Sequence, residues 1–238
     1  MLKKTRDVAA SIAFAIALAV LAITFSIGLP IYVRPFYYLQ VNALDLPERT
    51  GYEYEEIIDA YDEVLDYLTL EGREFGTGSL KYSEEGKAHF VDCKVLFDLN
   101  RNAFVISMLA LVLLIILDKY GHINLLKPRG IRLGFWSFLS TLAFFGFVAI
   151  ACAIDFSSAF TAFHKLFFPG KSNWLFNPYT DPIILVLPQQ FFLSCAVLIC
   201  VSVLLISALT IVFALVRRDR DYIWRRIFKK KDVQQNTK

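Results

Sequence analysis

Three histidines occur in the 238-residue chain: His89, His122 and His164. Imidazole is the side chain whose ordinary pKa lets it take up and return a proton near neutral pH. His89 and His164 lie in separate polar segments, each beside a long apolar run, so both can meet at one water–apolar boundary. Asp92 follows His89 by three residues, a spacing that on a helix lets a carboxylate hold the imidazole and fix its tautomer. Cys93 follows by four and offers a thiol nucleophile, against the commoner role of a thiol as a packing group. His122 stands apart, beside Asn124 and Lys127. Other chemistries find less support. The chain has no HExxH, no GxSxG, no CxxC and no His-x4-Asp. Gly76-Thr77-Gly78 is too short for a phosphate loop. Two histidines with scattered carboxylates make a weak metal signal, so neither a metal nor a cofactor is expected.

The elements that must position these groups are set by composition. The chain is 56% hydrophobic and 20% charged, with mean hydropathy +0.50 and 22 Phe. An ordinary soluble domain is nearer 45–50% apolar and about 25% charged. Lipid is therefore the solvent for much of the chain. Uncharged runs predict four transmembrane helices, at about 8–29, 102–117, 133–154 and 189–216. The second run is short, and Arg101, Asp118 and Lys119 can snorkel at its ends. Lys3, Lys4 and Arg6 resemble the start of a signal peptide, but the apolar run that follows is too long for one and lacks a clear cleavage site. It reads as a retained helix. The spans themselves carry no charged residue, which argues against a proton relay or ion path.

Basic residues set the expected orientation. With both termini cytoplasmic, the inside segments hold 16 of the 25 Lys and Arg, and the outside loops hold 17 of the 22 acids. The net charge of +3 thus hides about +11 inside and −8 outside. A basic tail, 217–238, is expected to meet anionic headgroups rather than nucleic acid. Cys152, Cys195 and Cys200 fall in or beside spans, and no disulfide framework is expected.

The outer loops are 34–101 and 155–188. In the first, Thr50 and Glu53 have capping-box spacing. Ile57, Ile58, Tyr61, Val64, Leu65 and Leu68 then mark an amphipathic helix whose other face, Glu55, Glu56, Asp59, Asp62, Glu63 and Asp66, reads as a solvated surface. After a turn at 72–78, a second helix is expected from Ser83 straight into the second span, carrying Tyr82, His89, Asp92 and Cys93 to the outer interface. In the second loop, Phe156, Phe160, Phe163 and Phe167 oppose Ser157, Thr161, His164 and Lys165, which predicts a short interfacial helix ended by Pro169-Gly170. Trp174, Phe176 and Tyr179 read as an aromatic belt. The expected fold class is an all-α membrane protein: a four-helix transmembrane bundle with an extracytoplasmic helical loop region, forming one integral domain over 1–238.

The segments LPIYVRPFYY, YSEEGKAHFVDCKVLFDLN and FHKLFFPGKSNWLFNPYTDPIILVLPQQFF resemble the bacterial lipoprotein intramolecular transacylase (Lit) family, from the first span to the last. That resemblance implies an acyltransferase. Its substrates would be diacylated lipoproteins, whose lipidated N-terminal cysteine receives the sn-2 acyl chain on its α-amine to give the lyso form. The family's two functional histidines would match His89 and His164. Arg34, Tyr82 and Asp181 are then candidates to donate hydrogen bonds or hold the histidines, beside Asp92 and Trp174. The expected location is the bacterial cell membrane with the site on the outer face. Membrane lipids are expected partners, with no obligate protein partner. The competing expectation is a non-catalytic membrane protein that docks a partner on its acidic outer helix. A membrane metalloenzyme is a third reading.

Overall fold

The computed structural model describes residues 2–125, 128–210 and 212. The basic tail and the last turn of the expected fourth span lie outside them. Every element among the described residues is helical: α1 (Leu2–Tyr32), α2 (Pro35–Ala43), α3 (Leu46–Thr50), α4 (Tyr54–Thr69), α5 (Glu84–Lys119), α6 (Pro128–Ile154), α7 (Phe156–Phe167) and α8 (Ile183–Val186), followed by α9 (Gln189–Thr210).

Three of these, α1, α5 and α9, are long and apolar enough to cross a membrane. In α6 the described apolar stretch is the shorter Phe138–Ile154. Ile16, Ile106, Leu113, Leu205 and Leu209 are more than half exposed, as side chains that meet lipid rather than protein must be. α1 is the hub, packed on both α5 and α6. Small residues make this possible: Ser11, Ala15, Ala22 and Ser26 are buried along α1 at spacings of four, seven and four residues, which lets neighbouring backbones approach closely. Ser26 Oγ donates to the Ala22 carbonyl at 2.8 Å, so the buried hydroxyl is satisfied within its own helix. Asn100 Nδ2 donates across to the Thr24 carbonyl at 3.3 Å, tying α5 to α1.

The water-type core sits in a cap at the end where α1 finishes and α5 and α9 begin. Tyr37 of α2 stacks on Tyr61 of α4 with ring centroids 3.7 Å apart, and Phe191 of α9 meets Tyr37 edge-on at 5.1 Å. The fully buried Tyr37 hydroxyl donates to the Val186 carbonyl of α8 at 2.7 Å. The stripe expected on α4 is the buried one, with Ala60 added and Ile58 only partly covered.

Two local expectations change. Thr50 does not cap α4. It ends α3, where Gly51 turns the chain at φ +77°, and the capping box is instead Glu53 with Glu56, whose Oε2 accepts the Glu53 N–H at 2.9 Å. Nor is the acidic face of α4 simply solvated. Asp62 (3.0 Å) and Asp66 both bind Arg34, and the Tyr38 hydroxyl donates to Asp62 at 2.8 Å. These contacts fasten the α1–α2 corner onto α4.

Candidate functional site

Two elements present the histidines. α5 is 36 residues long, about 54 Å at 1.5 Å per residue, so it outruns a ~30 Å hydrocarbon core by several turns. Asp92, Lys94, Asp98 and Arg101 mark its first turns as the part outside that core, and His89 and Cys93 belong to the same part. The start of α5 is firmly anchored. Ser83 is its N-cap, with Oγ accepting the Gly86 N–H at 2.9 Å. Asp181, almost fully buried, accepts from the Ser83 N–H at 2.7 Å and from the hydroxyls of Ser83 and Thr180. A carboxylate at this end also complements the positive pole of the helix. Only a glycine fits at position 86, because a Cβ there would overlap the Asp181 carboxylate and press on Phe176.

α7 carries His164. Asp155 caps it, accepting the Ser158 N–H at 3.1 Å. His164 is not on the solvent face expected for it. It is 7% exposed and shares the inward edge of α7 with Phe160, while Phe163, Leu166 and Phe167 are left open.

The two imidazoles come together with ring centroids 5.7 Å apart. Phe168 meets His89 edge-on at 4.9 Å, Phe176 does so at 5.5 Å, and Trp174 lies 4.8 Å from His164. Trp174 and Phe176 therefore wall the histidine pair. Burial, with the neighbouring His164 adding to it, pushes the His89 pKa down to about 4. Burial also lowers His164, partly offset by its bond to the Phe160 carbonyl. Both rings are thus neutral at pH 7. The tautomer of His164 follows from its partner. A carbonyl can only accept, so Nδ1–H donates to the Phe160 oxygen at 2.8 Å and Nε2 keeps its lone pair. His89 Nε2 lies 3.4 Å from Cys93 Sγ, and His89 Nδ1 is buried without a hydrogen-bond partner among the described residues. Burial pushes the Cys93 thiol up to about 12, which removes the thiolate a nucleophile would need.

The supporting residues expected from sequence are spread more widely. The bonds of Asp92 run to Lys171 and to Asn173 (3.0 Å), not to the His89 ring. Burial raises the Asp92 carboxyl, but those two donors outweigh it and hold it below its usual range. Asp92 thereby ties the loop after α7, and with it Trp174, to α5. Arg34 is engaged by α4, and Tyr82 stacks edge-on against Phe75 at 4.9 Å. Lys171, Asn173 and Phe168 were missed in the sequence, and Phe176 was read only as an interfacial aromatic, because nothing in a sequence marks a loop residue as facing another loop. Among the described residues, no group of three or more His, Cys, Asp or Glu is placed to hold a metal ion.

This arrangement suits proton transfer beside an apolar surface. The model of one family, described as lipoprotein intramolecular transacylase Lit, matches residues 12–192. The fold is similar to that of the membrane-integral lipoprotein intramolecular transacylase Lit from Bacillus cereus, with TM-score 0.76 and 25% identity over 95% of this chain and 98% of that one. A histidine-to-arginine variant of the same Bacillus cereus protein gives TM-score 0.73 at 24% identity, over 93% and 96%. Its histidine-to-alanine variant gives the same score and identity over 92% and 97%. Among curated proteins none matches this chain.

Proposed function

This chain belongs to the lipoprotein intramolecular transacylase Lit family and is a membrane acyltransferase, and we propose that His89 and His164 catalyse movement of the sn-2 acyl chain of a diacylglyceryl-modified lipoprotein onto the α-amine of its N-terminal cysteine. The observation that carries the reading is the pairing of two buried, neutral imidazoles 5.7 Å apart, one with a defined free lone pair.

Substrate nucleophile and ester belong to one molecule, so the protein need only orient them, an advantage worth up to ~7–11 kcal/mol in the best cases. The amine nitrogen attacks the sn-2 carbonyl carbon. His164 Nε2 takes the proton that the amine nitrogen loses and returns it to the glycerol oxygen as the carbon–oxygen bond breaks. The α-ammonium gives up its proton at ~7.7–8.0 and an ordinary imidazole takes one at ~6.5, a modest uphill step that the burial of His164 makes steeper. His89 donates a hydrogen bond to the oxygen of the tetrahedral intermediate, whose charge grows only in the transition state. The open edge of α7, Phe163, Leu166 and Phe167, gives the acyl chains an apolar surface beside His164. Trp174 covers His164, while Arg34, Asp92 and Asp181 hold the scaffold and Tyr82 borders it. The substrate is anchored in the outer leaflet, so the site belongs at the outer interface, with four spans and both termini cytoplasmic.

The test is expression in a host whose lipoproteins are diacylated, with peptide mass and N-terminal blocking as readouts. The wild type yields the blocked lyso form. His89→Ala and His164→Ala each lower its formation by about a hundredfold or more. Undiminished lyso product from either variant would sink the two-histidine mechanism. The competing reading, a non-catalytic interaction protein, is not favoured by the family match.

A further inference from the structure

Cys93 takes no part in the transfer described above, yet among the described residues its sulfur is the one hydrogen-bond partner of the His89 ring, at 3.4 Å from Nε2. The other ring nitrogen, Nδ1, is buried and has no hydrogen-bond partner among the described residues, in a side chain that is 5% exposed. We infer that Cys93 is a positioning residue: its thiol donates to His89 Nε2 and holds the ring as the Nδ1–H tautomer, leaving that proton for the carbonyl oxygen of the substrate. This deepens the proposed acyl transfer and rests on it.

A neutral imidazole has one N–H, so fixing one nitrogen as the acceptor fixes the other as the donor. Two arrangements are open. In one, Nε2–H points at sulfur, a weak acceptor, and Nδ1 presents a bare lone pair to an incoming carbonyl oxygen that carries lone pairs of its own. In the other, the thiol S–H meets the imidazole lone pair, a far better acceptor than sulfur, and the unpartnered Nδ1 carries the proton. The second satisfies the stronger acceptor and gives the oxyanion a donor. Cys93 keeps its proton for this role because its partly buried thiol is pushed up to about 12 and is not a thiolate near neutral pH. The spacing is secure, since residues four apart on the unbroken α5 stay on one face. Asp92, the other group near the ring, is occupied by Lys171 and Asn173.

The experiment uses the full chain in detergent micelles with ring-15N histidine. NMR reads which His89 nitrogen bears the proton, without substrate, and lyso-lipoprotein formation is followed separately as kcat and KM. The wild type and Cys93→Ser, which keeps a donor, should both show Nδ1–H. Cys93→Val, which keeps the volume and loses the donor, should lose that single tautomer. Its kcat should fall about ten- to a hundredfold with KM little changed, and Cys93→Ser should recover most of the loss. If Cys93→Val does not fold, Cys93→Ala carries the same comparison. A wild-type ring protonated at Nε2 overturns the inference, as does a donor-free variant with unchanged tautomer or unchanged kcat. If lyso product persists without both histidines, the transfer mechanism falls, while the substrate-free tautomer measurement still judges Cys93.

Discussion

A histidine kept neutral by its surroundings costs the protein stability in acid, and His89 is such a residue. Its pKa in the folded chain is about 4, below the ordinary 6.5 it regains on unfolding. Between those values the unfolded chain binds more protons than the folded one, so stability falls as pH falls. The loss begins near pH 6.5 and is complete near pH 4, amounting to on the order of 3 kcal/mol at one pKa unit per 1.36 kcal/mol. His164, also lowered, adds to it in the same direction, and the nearby second positive charge makes each protonation harder. Melting curves between pH 7.5 and 4 should therefore drop steadily, and His89→Phe should flatten the slope. Equal slopes for the two proteins would refute this account. At this scale the two histidines singled out from the sequence do lie together in the fold, but their company was misjudged. The spacing of Asp92 suggested the orienting partner, whereas the ring lies against Cys93. Both residues stand within a turn of His89, and only the position of Lys171 on a distant loop decides which is free.

Among the elements, the start of α5 matters most, because it sets where His89 stands. Ser83 and Asp181 close that end through a contact between residues 98 apart in the chain, and Gly86 leaves the room for it. Gly86→Ala would ordinarily favour a helix by ~1 kcal/mol. Here its Cβ meets a buried carboxylate that cannot retreat, so a net destabilisation of about 1–3 kcal/mol is expected, read as a lower melting temperature. A melting temperature at or above that of the wild type would show that Asp181 yields. The helices themselves were legible: α4 from its stripe, α5 from the Ser83 cap, α7 from its phenylalanines, and α9 from Pro188 just ahead of Gln189. Two pieces were not. The short α2 and α3 bury only Tyr37, Val41 and Leu46 between them, too few residues for a periodicity to stand out. The start of α4 was misplaced because Thr50 has the right residue type and spacing for a cap it does not make.

At the scale of the whole molecule, two solvents meet in one chain. The helices facing lipid pack through small residues on α1, and the cap packs through stacked tyrosines as a water-soluble domain would. The proposed topology is checked by attaching a reporter after residue 238 and labelling Lys81→Cys with a membrane-impermeant thiol reagent in intact cells. Labelling from outside together with a cytoplasmic reporter is the expected pair of results, and the reverse pair would invert the protein. The membrane class, the apolar runs and the two histidines were determined by the sequence alone, because hydropathy and residue type are local properties that need no partner to be read. The meeting of His89 with His164 was decided only in three dimensions, as were the proton on His164 Nδ1, the aromatic wall and the tie from Asp92 to Lys171. Each depends on loops far apart in the chain closing over one another, and burial, which sets the charge of both rings, exists only once they have closed.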